Sequence, residues 1–388
     1  MDNIKRLVAE NQEYITKLRR HFRMYPEIGG EEYETQQKIA TELKALGLEP
    51  QMVAGTGVVA EIKGKVPGKT IALRCDIDAL PIDDETDHIY RSQNQGRCHA
   101  CGHDAHMAMA LGAAKVLSSL ELTGNVRLLF QPSEERFPGG AEAMAKAGVM
   151  NGVFAVIGAH VWQPFTSGTI GISFGRTTAS PDEFTLTIQG KGGHGSMPHQ
   201  AIDPILVGAQ IVVALKAIVG TSINPLEQAV VSLGAFRAGE VFNIIPDTAV
   251  IKGTVRTFEA DVRMNVFDKI EQIASGICQA YGASFELVKL LGYPPVINDP
   301  GVARLAYEAA GEVLGEQGVF EMDPVMVGED FSYFAEKAPG AFIFIGVGNS
   351  SKGLVYPHHH PRFDIDEAAL APGVEVLVRT ISKLLRKK

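Results

Sequence analysis

The chain has 388 residues, 45% of them hydrophobic, and its 45 acidic against 36 basic residues leave a formal net charge of -9. That length suits two compact domains, each with enough apolar residues to fill a core. An acidic chain with scattered Lys and Arg lacks the basic footprint of a nucleic-acid or anionic-membrane partner, which leaves small-molecule chemistry. The N-terminus enters a charged amphipathic pattern at once, without the apolar segment of a signal peptide, and no later apolar run is uninterrupted for long enough to span a bilayer. A cytoplasmic setting is expected. There Cys75, Cys98, Cys101 and Cys278 stay reduced, as buried residues or metal ligands.

In chain order, Ile4, Leu7, Val8, Ile15, Leu18 and Phe22 recur at helical spacing until Pro26, and Tyr33, Ile39, Leu43 and Leu46 repeat the pattern until Gly47; two helices are predicted. Residues 57–62 read as a strand, and 70–74 as a short apolar strand that runs into Cys75-Asp76-Ile77-Asp78 and stops at Pro81. The form recurs. Residues 126–130 end in Gln131-Pro132-Ser133-Glu134-Glu135, residues 154–158 end in Ala159-His160, and 341–347 make a fourth apolar strand. Helical stretches at 107–120 and 141–147 lie between them, so the fold class is α/β, a mostly parallel sheet flanked by helices. Ligands bind beyond the carboxyl ends of such strands, where Asp76, Asp78, Glu134, Glu135 and His160 are expected.

Past Gly175 the pattern changes. Strands at 183–189, 229–235, 248–258 and 284–290 alternate with helices at 204–219 and 262–281, the order of a ferredoxin-like α+β insert. The run Leu291-Gly-Tyr-Pro-Pro295 reads as the return linker, followed by helices at 302–314 and 367–385. The domains are therefore 1–178 with 292–388, carrying the chemistry, and 179–291, an inserted lid or dimerisation domain.

The densest chemistry is Cys98-His-Ala-Cys-Gly-His-Asp-Ala-His106, which gathers two thiols, three imidazoles and a carboxylate. Cys101-Gly102-His103 offers a thiolate and an imidazole two residues apart, with glycine easing the turn between them, as half of a metal site. The duller reading is a buried thiol beside a helix-start histidine. Cys98 completes a Cys-x-x-Cys, but no second pair exists, so Cys98 reads as structural. His106, one turn beyond His103, is either a support for the site or core. In Glu134-Glu135, neighbouring side chains point apart, so one carboxylate can bind metal while the other takes a proton. His160 and one of His358, His359 and His360 are further candidate ligands.

In the insert, Gly190-Lys-Gly-Gly-His-Gly-Ser-Met-Pro-His199 lacks the ending of a phosphate loop. It reads either as a flexible carrier of His194 or as a surface hairpin. Asn243 and Arg256 are candidates for holding a substrate carboxylate, or are structural.

The runs Ala72-Leu-Arg-Cys-Asp-Ile-Asp-Ala-Leu-Pro81, His99-Ala-Cys-Gly-His-Asp-Ala-His106, Gln131-Pro-Ser-Glu-Glu135, Gly158-Ala-His160, Gly193-His-Gly-Ser-Met-Pro-His199, Gly253-Thr-Val-Arg256, Gly328-Glu-Asp-Phe331 and His359-His-Pro-Arg-Phe-Asp364 resemble those of the metal-dependent amidohydrolases that include hippurate hydrolase, bacterial N-acyl-amino-acid deacylases and plant auxin-conjugate hydrolases. The resemblance covers nearly the whole chain in order. It implies two divalent ions per subunit, zinc or manganese with nickel or cobalt also compatible, bridged by Cys101 and completed by His103, Glu135, His160 and His359, with His360 the adjacent alternative. It further implies Glu134 as general base, Asp78 as the carboxylate that orients the site, and Asp76 as a minor alternative ligand. His194 is implied to reach the active site of a second subunit, in a homodimer or tetramer formed through the lid domain. The implied reaction is hydrolysis of an N-acyl amino acid, of N-acetyl or N-benzoyl type, to the free amino acid and a carboxylate. A dipeptidase or carboxypeptidase would use the same centre, whereas a non-enzymatic thiol–metal protein leaves Glu134 without a role.

Overall fold

The apolar periodicity at the N-terminus forms two helices, α1 (Asn3–Glu10) and α2 (Gln12–Met24), where one was expected. The break is at Asn11, whose side-chain amide donates to the Leu7 carbonyl at 2.8 Å, the local competition with helix that makes asparagine a terminator. The computed structural model describes residues 2–387. They form two units, the first made of the chain up to Thr177 with Ile297–Pro324 and the chain from Asp330, the second of Thr178–Val296 with Val325–Glu329.

In the first unit, α3 (Tyr33–Ala45) precedes β1 (Gln51–Val53), β2 (Gly57–Ile62) and β3 (Val66–Asp76). Then follow α4 (His103–Ser118), β4 (Thr123–Gln131), α5 (Gly140–Lys146), β5 (Val153–Thr166), β6 (Ile170–Ile172) and β7 (Arg176–Thr178). In the insert come β8 (Ser180–Gln189), β9 (Gly193–His194), α6 (Pro204–Ser222), β10 (Ala229–Ala238), β11 (Ile244–Ile245), β12 (Thr248–Thr257), α7 (Ala260–Tyr281) and β13 (Ser284–Leu290). After β14 (Val296–Ile297) the chain returns through α8 (Pro300–Leu314), β15 (Val319–Glu321), α9 (Ser332–Ala335), β16 (Gly340–Gly348) and α10 (Leu370–Arg386).

Eight strands form one sheet in the order β1-β2-β4-β3-β5-β16-β6-β15. Its centre, β4, β3, β5 and β16, is parallel, as the alternation of apolar strands and helices predicts. The flanks turn antiparallel, β2 against β4 and β6 against β16. The three-residue strands β1, β6 and β15 escaped the sequence reading because so short a run shows no period. Helix α4 is buried from His103 to Leu117 save Lys115. It lies so close to α2 that a Cβ on Gly112 would meet Ile15 Cγ1 at 2.7 Å.

The insert's strands form an antiparallel sheet in the order β10-β12-β8-β13, the ferredoxin-like arrangement, with a core of Phe184, Leu186, Ile188, Val207, Ile211 and Phe267. The expected linker is held to this unit: Gly292 N–H donates to Asp182 at 2.9 Å and its carbonyl accepts from Arg263 at 3.0 Å. By length and composition α6 is apolar enough to cross a membrane, with a mean hydropathy of 1.9; Gln210 and Lys216 hid this from a search for unbroken apolar runs. Its Val207, Ile211, Leu215 and Ile218 recur at helical spacing and pack into the insert's core.

Candidate metal centre

Pairing of β3 with β5 ends at Arg74↔Gly158, while β16 goes on pairing with β5 through Trp162 and, past an irregularity, to Thr166. His160, expected at a strand end, therefore lies inside β5, just where its β3 neighbour has stopped. The start of α4 packs against β5 here, the Val161 N–H donating to His106. Gly102 opens that helix at φ +92°, and a Cβ there would meet Val161 Cγ2 at 2.3 Å, so this glycine both makes the turn and lets Cys101 and His103 approach His160. Gly102→Ala is expected to lower stability by about 2–4 kcal/mol, the left-handed backbone and the overpacking adding up; urea unfolding measures it.

Cys101 Sγ lies 3.4 Å from His160 Nε2. Candidate ligand atoms of Cys101, His103 and His160 fall within 4.8 Å of one another, as do those of Cys101, Glu135 and His359. His359 Nε2 is 3.2 Å, and His103 Nε2 4.0 Å, from Glu135 Oε1. The other ring nitrogens are engaged elsewhere: His103 Nδ1 donates to the Asp78 carbonyl at 2.8 Å, and His160 Nδ1 to the Val161 carbonyl at 2.6 Å. Asp78 also accepts from the Glu135 N–H at 3.0 Å, so one residue orients both an imidazole and a carboxylate. His103 Nε2 is buried without a hydrogen-bond partner, and Glu135 Oε1 faces His359 and His103.

The three consecutive histidines separate cleanly. His359 takes a left-handed backbone, φ +65°, with its N–H on the Ala100 carbonyl at 2.9 Å, and turns to Glu135. Its side chain is 55% exposed, so it stands on the open side of the cluster. His358 packs among Trp162, Phe363 and His160, and burial with His359 nearby pushes its pKa down to about 3. His360 stacks on Tyr356 at 4.6 Å and accepts from the Arg362 N–H.

His106 is committed at both nitrogens. The Val161 N–H donates to its Nε2 at 2.8 Å, which leaves Nδ1 to donate to Asp76 at 2.6 Å. Asp76 in turn meets Arg74 at 2.9 Å, and Arg74 reaches Gln131 and Asp330. This buried chain fixes the backbone beside His160.

The charges are those of a site built for cations. Burial pushes the Cys101 thiol well above its ordinary value, and Glu135 and Glu134 push it further. Burial alone would depress His103, but Asp76, Asp78 and Glu135 outweigh it and hold its pKa up to about 10. A divalent ion would reverse both effects, the thiol and imidazolium protons leaving to solvent as the thiolate and neutral imidazole bound it. With His103 Nε2 buried and unpartnered, and the donor atoms of Cys101, His160, Glu135 and His359 grouped around it, the residues fit such ions.

Glu134 is buried and groups with His103 and Glu135. In the insert, β9 pairs with β11, and the Gly195 N–H on the Asn243 carbonyl at 2.8 Å sets Asn243 beside His194. Arg256 lies on β12, in a different sheet of that unit. Sequence reasoning missed Glu32, fully buried, whose carboxylate accepts from Ser133 N–H at 2.8 Å and Thr56 Oγ1 at 2.6 Å. It steadies Ser133, at φ +52°, next to Glu134. It also missed Arg19 and Arg23, although both fall on the buried stripe of α2 with Ile15, Leu18 and Phe22.

An α/β unit that gathers a thiol, imidazoles and carboxylates around the end of its parallel strand β3 has the layout of a hydrolase. The description of Peptidase family M20/M25/M40 matches residues 72–383, and the chain belongs to that family. It is 45% identical over 329 residues to the N-acyl-L-amino acid amidohydrolase of Geobacillus stearothermophilus, covering 82% of this chain and 89% of that one. It is 41% identical to thermostable carboxypeptidase 1 of Saccharolobus solfataricus over 96% of both chains. The crystal structure of the Bacillus subtilis YXEP protein, a dinuclear metal-binding peptidase from the M20 family, superposes with a TM-score of 0.86 at 36% identity, covering 98% of this chain and 100% of that one. The chain is an amidohydrolase.

Proposed function

We propose that the chain hydrolyses the amide bond of N-acyl amino acids at a centre of two divalent ions held by Cys101, His103, Glu135, His160 and His359. The observation that carries this reading is the pair of donor triads sharing Cys101, with Glu134 beside them. Bound divalent ions acidify water and polarise an amide carbonyl. Glu134 takes the proton of the attacking water and returns it to the departing amine. Asp78 holds His103 and Glu135 in register. His194 is assigned to the oxyanion, where loss of one donor typically costs about 10²–10³ in turnover, and Asn243 and Arg256 to the substrate carboxylate. Thiolate and imidazole suit zinc, nickel or cobalt, and the carboxylates accept manganese.

The test is chelation, reconstitution with each metal, and kcat/KM on N-acetyl amino acids, N-benzoyl amino acids and dipeptides. N-acyl amino acids are expected to lead. A lead for dipeptides would transfer the site to the carboxypeptidase reading, which the similarity to the Saccharolobus enzyme favours.

The same reading includes a homodimer or tetramer joined through the insert, in a cytoplasmic setting. Its support is the uncovered face of α6, where Val213 is 73% and Leu206 46% exposed, next to the edge strand β10. The four cysteines, all free and buried, suit a reducing compartment. Sedimentation is expected to give at least twice the chain mass, and Val213→Glu a monomer; a monomeric wild type removes the assembly.

A further inference from the structure

Helix α2 carries two arginines where a core helix would carry apolar residues. Arg19 and Arg23 are 0% and 1% exposed and stand four residues apart on the stripe of Ile15, Leu18 and Phe22. Burying a guanidinium is costly unless its nitrogens are met. In Arg23 each is met by a different segment: Nε donates to Asp84 Oδ2 at 2.9 Å, Nη1 to the His99 carbonyl at 2.8 Å, and Nη2 to the Phe363 carbonyl at 2.7 Å. His99 lies two residues before Cys101, and Phe363 four after His359. One planar group thus spans the two segments that bear these side chains.

Arg19 repeats the connection one turn earlier. Its Nε is 3.0 Å from Asp104, the residue after His103, while its Nη2 pairs with Asp364, at the far end of the His359 loop. The loop itself bends through the left-handed backbone of His359, and its direct tie to the other segment near the site is the His359 N–H on Ala100.

We propose that Arg23, supported by Arg19, is a positioning residue that sets the separation of Cys101 from His359 and thereby governs retention of the cation held by Cys101, Glu135 and His359. This rests on the two-cation centre proposed above. Neither arginine touches the cations. Each acts through backbone carbonyls and carboxylates that only a forked, permanently charged group can join, so lysine is not an equivalent.

The test is metal content and affinity, in wild type, Arg23→Lys, Arg19→Lys and Leu18→Ala, after chelation and titration with cobalt(II) followed by thiolate-to-metal absorption. Wild type is expected to bind two cobalt ions. Arg23→Lys is expected to bind one as tightly as wild type and the other about 10–100-fold more weakly, the usual cost of losing an outer partner of a ligand; Arg19→Lys follows in the same direction. Leu18→Ala, a core truncation on the same helix, lowers stability while keeping both ions. Arg23→Lys and Arg19→Lys with two ions at wild-type affinity overturn the clamp alone, as does Leu18→Ala losing the ion equally. A wild type that binds fewer than two ions removes the two-cation centre itself, and the clamp with it. Should Arg23→Lys not fold, Arg19→Lys decides.

Discussion

Glu134→Gln is expected to keep both cations and to lose about 10²–10⁴-fold in kcat, the range general acid–base catalysis supplies. Glu134 is outside both triads that share Cys101, yet it groups with His103 and Glu135 in the buried part of the cluster. Glutamine keeps its size and accepts hydrogen bonds but cannot carry a proton from water to amine. KM should change little, since the loss falls on the transition state. Metal analysis together with kcat decides: full activity removes the base, and loss of one cation makes Glu134 a ligand instead.

Cys101→Ala is expected to fall below one cation per chain after dialysis, and its activity to fall with the metal. The reason is geometric. Cys101 is the donor common to the His103–His160 and Glu135–His359 groups, so its removal weakens both positions at once, where loss of an imidazole weakens one. The thiol is kept protonated by burial and by Glu135 and Glu134 unless a cation is present, so the variant should lose little stability in chelator. Wild type gains Tm as metal is added, because binding only to the folded state stabilises it. The variant's Tm is expected not to respond, and a variant that retains two ions would exclude bridging by this sulphur.

Much of this was readable in the residues. The apolar runs leading into Asp76, Gln131 and His160 announce a parallel sheet because a strand buried on both faces needs a continuous apolar run. Cys101-Gly-His103 announces a half-site because few folds need a thiol and an imidazole across a glycine. The insert's element order identifies its topology, since β8, β10, β12 and β13 are long enough for alternation to show.

What composition and spacing determined by themselves was the class of fold and the set of reactive side chains, because those depend on local period and on residue type. Only the tertiary structure gave neighbours their separate surroundings: His359 turned to Glu135 while His358 and His360 meet aromatic rings, His106 engaged at both nitrogens, and Arg19 and Arg23 as buried ties to segments about 80 and 340 residues away. Adjacent histidines look identical in a string. They differ once a left-handed backbone at one of them, an aromatic layer around another and a turn at the third give each a separate direction.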